Sequence, residues 1–257
     1  MSFLNNLSWK NRLKASGIHL LISVLIALLS ALLVFELWYP YPYREISGGR
    51  ELFLIVIMVD VTLGPLITLI IFNQTKPWKE LKWDLAVVVF IQLSALSYGL
   101  WTVLAARPVH MVFEYDRFRV VHAVDVPPEL LEKTPSGVDA LPWMGPTLLS
   151  LRPFKDAQEK MDDTLAALQG ISLSARPDLW QTYVNARPEI LKAAKPALEL
   201  KARFANKSSE IDSVLLSNGR TPQTAVYLPM VGRKSFWTVF LDPVTAEVVA
   251  YMPLDSF

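Results

Sequence analysis

The sequence predicts an α-helical membrane anchor of three transmembrane helices followed by a small α+β soluble domain. Three observations carry this. Apolar runs at 17–39, 52–72 and 85–106 each reach the roughly 20 residues needed to cross a bilayer's hydrocarbon core. From Arg107 onward those runs give way to short β-branched and aromatic stretches alternating with helical patterns. Hydrophobic residues make up 52% of the 257 residues against 19% charged, a balance suited to an anchor carrying a domain rather than a wholly soluble protein. The expected division is 1–106 for the transmembrane region and 107–257 for the domain.

Residues 1–16 read as a short polar leader bearing Lys10, Arg12 and Lys14. The apolar run behind it is too long for a signal-peptide core and lacks an A-x-A-like cleavage site. It ends in Trp38, Tyr39, Tyr41 and Tyr43, aromatics typical of a membrane–water interface, so the first span is read as uncleaved. His19, near its basic end, reads as an interfacial or helix-packing imidazole. A short loop over 40–51 follows, with Gly48-Gly49. Between the second and third spans, residues 73–84 hold Lys76, Lys79 and Lys82. Basic loops stay in the cytoplasm. The N-terminus and the 73–84 loop are therefore expected inside, and everything after Arg107 outside, which in a Gram-negative inner membrane is the periplasm. Arg44 and Arg50 lie on the opposite side but are offset by Glu45 and Glu51.

In the domain, 109–114 and 118–124 read as a hairpin turning at Tyr115-Asp116-Arg117. The Pro- and Gly-punctuated stretch 134–146 reads as loop. Met161, Leu165 and Leu168 form an i, i+4, i+7 stripe on a helix over 155–168. Further helices are expected over 178–185, 189–204 and 209–216, with Pro188 and Pro196 in first turns, where a missing N–H costs nothing. The chain then returns to strands at 225–231, 235–241 and 247–252. The last two are joined by Asp242-Pro243-Val244-Thr245, with Pro at the second turn position. Residues 236–241 are bulky on both faces, as for a strand covered on both sides. A sheet of about five strands results, its first pair and last three flanking a helical insertion.

The second span holds the chemistry. Asp60 is a carboxylate about nine residues into an otherwise apolar run, where an ionisable group costs roughly 2.5–3.5 kcal/mol and so faces protein rather than lipid. Gln92, Ser94, Ser97 and Tyr98 of the third span lie near its depth. Two readings stand. In one, Asp60 hydrogen-bonds one of those groups and fixes the bundle. In the other, it receives a polar or cationic group from a partner transmembrane helix. Gly64-Pro65, one turn on, offers a close-packing surface and a proline that bends or opens the helix.

Other classes find little support. Intramembrane aspartyl proteolysis needs two apposed acids, and besides Asp60 only Glu36 is near, at a membrane edge. His110 and His122 sit on neighbouring expected strands near Glu114, Asp116 and Asp125, but their spacing matches no metal-ligand motif. There is no cysteine, which excludes thiolate sites and disulfides. No P-loop, G-x-G-x-x-G or G-x-S-x-G appears, and neither cofactor nor metal is expected. A net charge of +1 gives no nucleic-acid footprint.

Several stretches together carry a resemblance: IHLLISVLIALL at 18–29, GGRELFLIVIMVDVTLGPLITLIIF at 48–72, KWDLAVV at 82–88, LSYGLWTVLAARPVHMVFEYDRFRVV at 96–121 and WTVFLDPVTAEVVAYMPLD at 237–255. The chain resembles the type IV pilin accessory protein family, the TfpX/TfpZ group, most densely over 17–123. That resemblance implies an inner-membrane protein that is not an enzyme and that assists pilin handling or pilus assembly. The implied partners are the major type IV pilin, the inner-membrane pilus assembly machinery and membrane lipid. It transfers no established site residues. A pilin's hydrophobic N-terminal helix, with its α-amino group, is an expected partner for Asp60, Gly64 and Pro65. The competing reading is a membrane-tethered periplasmic sensory or regulatory domain that binds an envelope ligand; such a regulator usually needs a cytoplasmic output module, for which the leader and the 73–84 loop are small.

Overall fold

The computed structural model describes residues 2–72 and 76–257, with side chains from residue 9 onward. It separates into two units. One contains the three long helices, and the other joins Trp38–Gly48 to Ala106–Phe257.

The helical unit contains α1 (Ser2–Leu32), which runs on as a π-helical stretch over Leu33–Trp38. After the single turn α2 (Tyr43–Ile46), which belongs to the other unit, come α3 (Gly49–Ile71) and α4 (Trp78–Ala105). Trp9–Trp38, Gly49–Ile71 and Trp78–Ala105 are each long and apolar enough to cross a membrane. Leu21, Ile70 and Phe90 are 72%, 73% and 72% exposed, an apolar coat that water penalises and lipid does not.

The expected leader is not separate from the first span, because α1 already starts at Ser2. Leu, Lys and Arg are good helix formers, and extending an existing helix is far easier than nucleating one. For the same reason α4 starts at Trp78 rather than near residue 85. Residues 73–75 of the loop expected there lie outside the described residues. Through Pro65, α3 runs unbroken, so the helix does not open at that point.

The second unit is built on β1 (Pro108–Glu114), β2 (Arg117–His122), β3 (Thr147–Leu151), β4 (Trp180–Thr182), β5 (Lys195–Pro196), β6 (Val226–Val231), β7 (Phe236–Leu241) and β8 (Val248–Met252). These form one eight-stranded sheet in the order β4-β3-β1-β2-β6-β7-β8, with β5 beside β6. The β1/β3 and β2/β6 pairs are parallel and the rest antiparallel. Helices α5 (Ala157–Leu168), α6 (Arg187–Ala193), α7 (Ala197–Arg203) and α8 (Ser208–Ser217) complete it. Ile190 of α6 packs with Met111, Phe118, Met230 and Val239 in one core layer. Leu200 and Ile211, from α7 and α8, pack with Tyr227 and Phe240 in another. Consecutive residues of β7 enter different layers, and Trp237 to Leu241 are all buried, so this strand is covered on both sides as its sequence indicates.

Five differences from the sequence reading have physical causes. The sheet has eight strands rather than about five, because β3, β4 and β5 come from the middle. Residues 178–185 make the short strand β4 between two 3₁₀ turns rather than an α-helix, in keeping with the strand preference of Trp180 and Thr182. The helix expected over 189–204 is split: proline disfavours helical backbone at the residue before it, so α6 ends ahead of Lys195-Pro196, and Pro196 sits as the N-cap of α7 rather than in its first turn.

The fourth difference concerns 40–48, expected as part of a loop of the membrane region. Its one helical turn places Tyr43 and Ile46 at i, i+3, and both enter the sheet's core. Gly232 accommodates it: a Cβ there would lie 2.0 Å from Ile46 Cγ1. The fifth is α5, which is oriented opposite to expectation. Glu159, Asp163 and Ala166 face inward, while Met161, Leu165 and Leu168 are exposed. Ion pairs from Arg152 to Glu159 (2.7 Å) and Arg176 to Asp163 (3.4 Å) lie on the docked face in place of the apolar stripe.

Candidate functional site

The site arises where the three long helices turn polar and small residues toward one another. Ser16, His19 and Ser23 follow i, i+3, i+7 on α1, and Asp60, Gly64 and Thr68 follow i, i+4, i+8 on α3. Gln92 of α4 joins them. Its Nε2 donates to Ser23 Oγ (3.1 Å) and to the backbone carbonyl of Asp60 (2.9 Å). Its Oε1 can only accept, so His19 Nε2 carries the hydrogen between them (2.8 Å), and His19 Nδ1 accepts from the Thr68 hydroxyl (2.6 Å). One amide thereby ties three helices, in surroundings where each such bond contributes about 0.6–2 kcal/mol. Gly64 makes room for it, since a Cβ there would lie 2.4 Å from Gln92 Oε1. Ser16 Oγ donates to the carbonyl of Pro65 (2.9 Å), a further link between α1 and α3.

The carboxylate of Asp60 stands outside this network. Asp60 is only 8% exposed, yet among the described residues no hydrogen bond or ion pair reaches its side chain. It lines a small cavity of about 70 Å³ with His19, Ser23 and Gln92. It also lines a groove of about 280 Å³ between α3 and α4, with Gly64, Ile67, Val88 and Ile91. A polar group facing hydrocarbon without a partner costs several kcal/mol, so a carboxylate on this groove can accept a hydrogen-bond donor or a cation.

Of the residues expected near Asp60, only Gln92 is there, and it meets the backbone rather than the carboxylate. Ser94 Oγ donates to Phe90 of its own helix (2.8 Å), Ser97 is exposed, and Tyr98 is an exposed ring beside Trp101. The imidazole of His19 packs between helices. Glu36 is exposed. In the sheet unit, His110 is fully buried, its Nδ1 paired with Thr147 Oγ1 (2.7 Å) and its Nε2 with the Ala140 carbonyl (3.0 Å). Burial pushes its imidazole down to about 4, the Ala140 bond and Asp139 opposing and Arg107 reinforcing the shift. His122 Nδ1 pairs instead with Asp125 (3.1 Å). No group of three or more His, Cys, Asp or Glu side chains is placed to hold a metal ion among the described residues.

Comparison with known proteins supplies the context. Residues 7–48 match the family model described as fimbrial assembly protein FimB. Over 249 residues the chain is 36% identical to the fimbrial assembly protein of serogroup I from Dichelobacter nodosus, covering 95% of each chain. The chain belongs to the fimbrial assembly protein family. The serogroup E1 relative from the same organism shows the same identity and coverage. The relative of serogroups C1 and C2 is 44% identical over 122 residues, 48% of this chain and 91% of its own length. The resemblance noted in the sequence is thus to the right family, a type IV fimbrial assembly accessory group. No solved structure matches the chain.

Proposed function

We propose that this protein assists the assembly of type IV fimbriae from the bacterial inner membrane by binding pilin subunits, and that it acts without catalysing a reaction. The observation that carries the reading is the 36% identity, over 95% of both chains, to relatives named as fimbrial assembly proteins. Three helices suited to a bilayer agree with a membrane site of action. Lys10, Arg12 and Lys14, with Lys76, Lys79 and Lys82, favour a cytoplasmic N-terminus and a periplasmic sheet unit. Asp60, with Gly64 and Pro65 beside it, is the intramembrane contact in this reading. Among the described residues no second carboxylate is hydrogen-bonded to Asp60 to share a proton, and the other acid of its groove, Asp84, is paired with Lys76, which suits recognition better than acid–base chemistry. Buried ion pairs add little net affinity but fix register, which subunit-specific handling requires.

The test is affinity purification of the full-length chain from fimbriated cells, paired with deletion of its gene. The major pilin copurifies and the deletion strain loses surface fimbriae if the reading holds. Normal fimbriation without the protein, and no pilin in the purified material, would refute it.

A further inference from the structure

We infer that the groove between α3 and α4 is the seat of one apolar partner helix carrying a single hydrogen-bond donor or cation, which docks on Asp60. Its walls are two matched stripes. Asp60, Gly64, Ile67 and Ile71 follow i, i+4, i+7, i+11 along α3, while Asp84, Val88, Ile91 and Ala95 follow the same spacing along α4. Eleven residues of helix make the groove about 16 Å long. Apart from its acids and Gln92, the groove is lined by apolar side chains and Gly64.

The two carboxylates differ in what they still need. Asp84, near one end, already has Lys76 Nζ at 2.5 Å. Gln92 has its amide committed to Ser23, Asp60 O and His19. The one unmet demand is the Asp60 carboxylate, at the other end. A lipid acyl chain would fill the apolar walls and leave that carboxylate without a donor. An apolar helix with one donor satisfies both, and the spacing sets its register: the donor lies about eleven residues, or 16 Å, from where the partner helix passes Ile71 and Asp84. Gly64, one turn from Asp60, also lines the groove, the place of its missing side chain being taken by Gln92.

That the partner is a pilin rests on the function proposed above; the seat itself does not. The experiment places a photo-crosslinking amino acid in the full-length chain, in cells. Ile67 and Ile91 probe the groove, and Ile70 and Phe90 probe exposed positions outside it. Adducts are probed with anti-pilin antibody and by mass spectrometry. Pilin adducts are expected from Ile67 and Ile91 but not from Ile70 or Phe90. They should fall on the order of tenfold with Asp60→Leu, the loss expected for one interhelical hydrogen bond to an acid in lipid, and persist with Asp60→Glu. The level of each variant in the membrane is measured alongside. Equal pilin adducts from all four positions, or adducts indifferent to Asp60, would overturn the groove while leaving pilin binding intact. Groove adducts made only of lipid or of a second copy of this chain would also overturn it. No pilin adduct from any helix or from the sheet unit would remove the functional reading, and the seat would then lack its occupant.

Discussion

The two units treat buried charge differently. In the sheet unit, the buried charged residues are Arg107, Arg176 and Asp242, and all three are paired. Arg107 donates to the carbonyls of Leu141 and Pro142, Arg176 pairs with Asp178 and Asp163, and Asp242 accepts from Arg220 and from the backbone of Val244 and Thr245. In the helical unit, the buried charged residue is Asp60, and its carboxylate has no partner among the described residues. The neighbouring polar groups of that unit, His19, Thr68, Ser23 and Gln92, nonetheless form a linked network. The contrast is between charges paired within the fold and a carboxylate left without a partner.

Substitutions should fall on either side of that contrast. Trp180→Ala in the sheet unit removes a side chain 1% exposed whose Nε1 donates to the Ser174 carbonyl, and is expected to cost about 3–5 kcal/mol. Denaturant unfolding of the full-length protein in detergent measures it. Acid probes His110. Burial lowers its folded value to about 4 from an unfolded 6.5, so the unfolded chain takes up the proton first. Stability is full above pH 6.5 and declines as pH falls toward 4, by about 3 kcal/mol in total; His110→Gln should flatten that slope. Arg176→Met, which leaves Asp163 and Asp178 without their guanidinium, is expected to cost about 2–3 kcal/mol in the same unfolding assay. Gly64→Ala displaces Gln92 from its network, at about 1–3 kcal/mol, read as a lower thermal midpoint of the detergent-solubilised chain.

Part of this was legible in the chain. The three spans and the strands β1, β2, β6, β7 and β8 follow from hydropathy and alternation, which are local signals. The strands β3, β4 and β5 are short and take their identity from distant partners, such as Leu149 opposite Thr182 and Lys195 opposite Tyr227. The insertion of Ile46 against Gly232 is likewise non-local. At the site, depth alone grouped Gln92, Ser94 and Tyr98, but helical phase separates them: at about 100° per residue, Ser94 points roughly 200° away from Gln92. The polar stripe Ser16, His19 and Ser23 was present in the sequence as i, i+3, i+7 and was the signal that could have tied α1 to the site. Which carboxylate keeps a free valence depends on side-chain geometry that spacing does not encode.

The smallest expected effect on stability is the most informative. Asp60→Leu removes a buried charge that has no partner, so the thermal midpoint of the detergent-solubilised protein should hold steady or rise, while pilin copurification and surface fimbriation are lost. Measuring that midpoint beside pilin recovery, on the same preparation, tests the central claim. A variant that loses stability while still recovering pilin would show that Asp60 serves the bundle and not a partner.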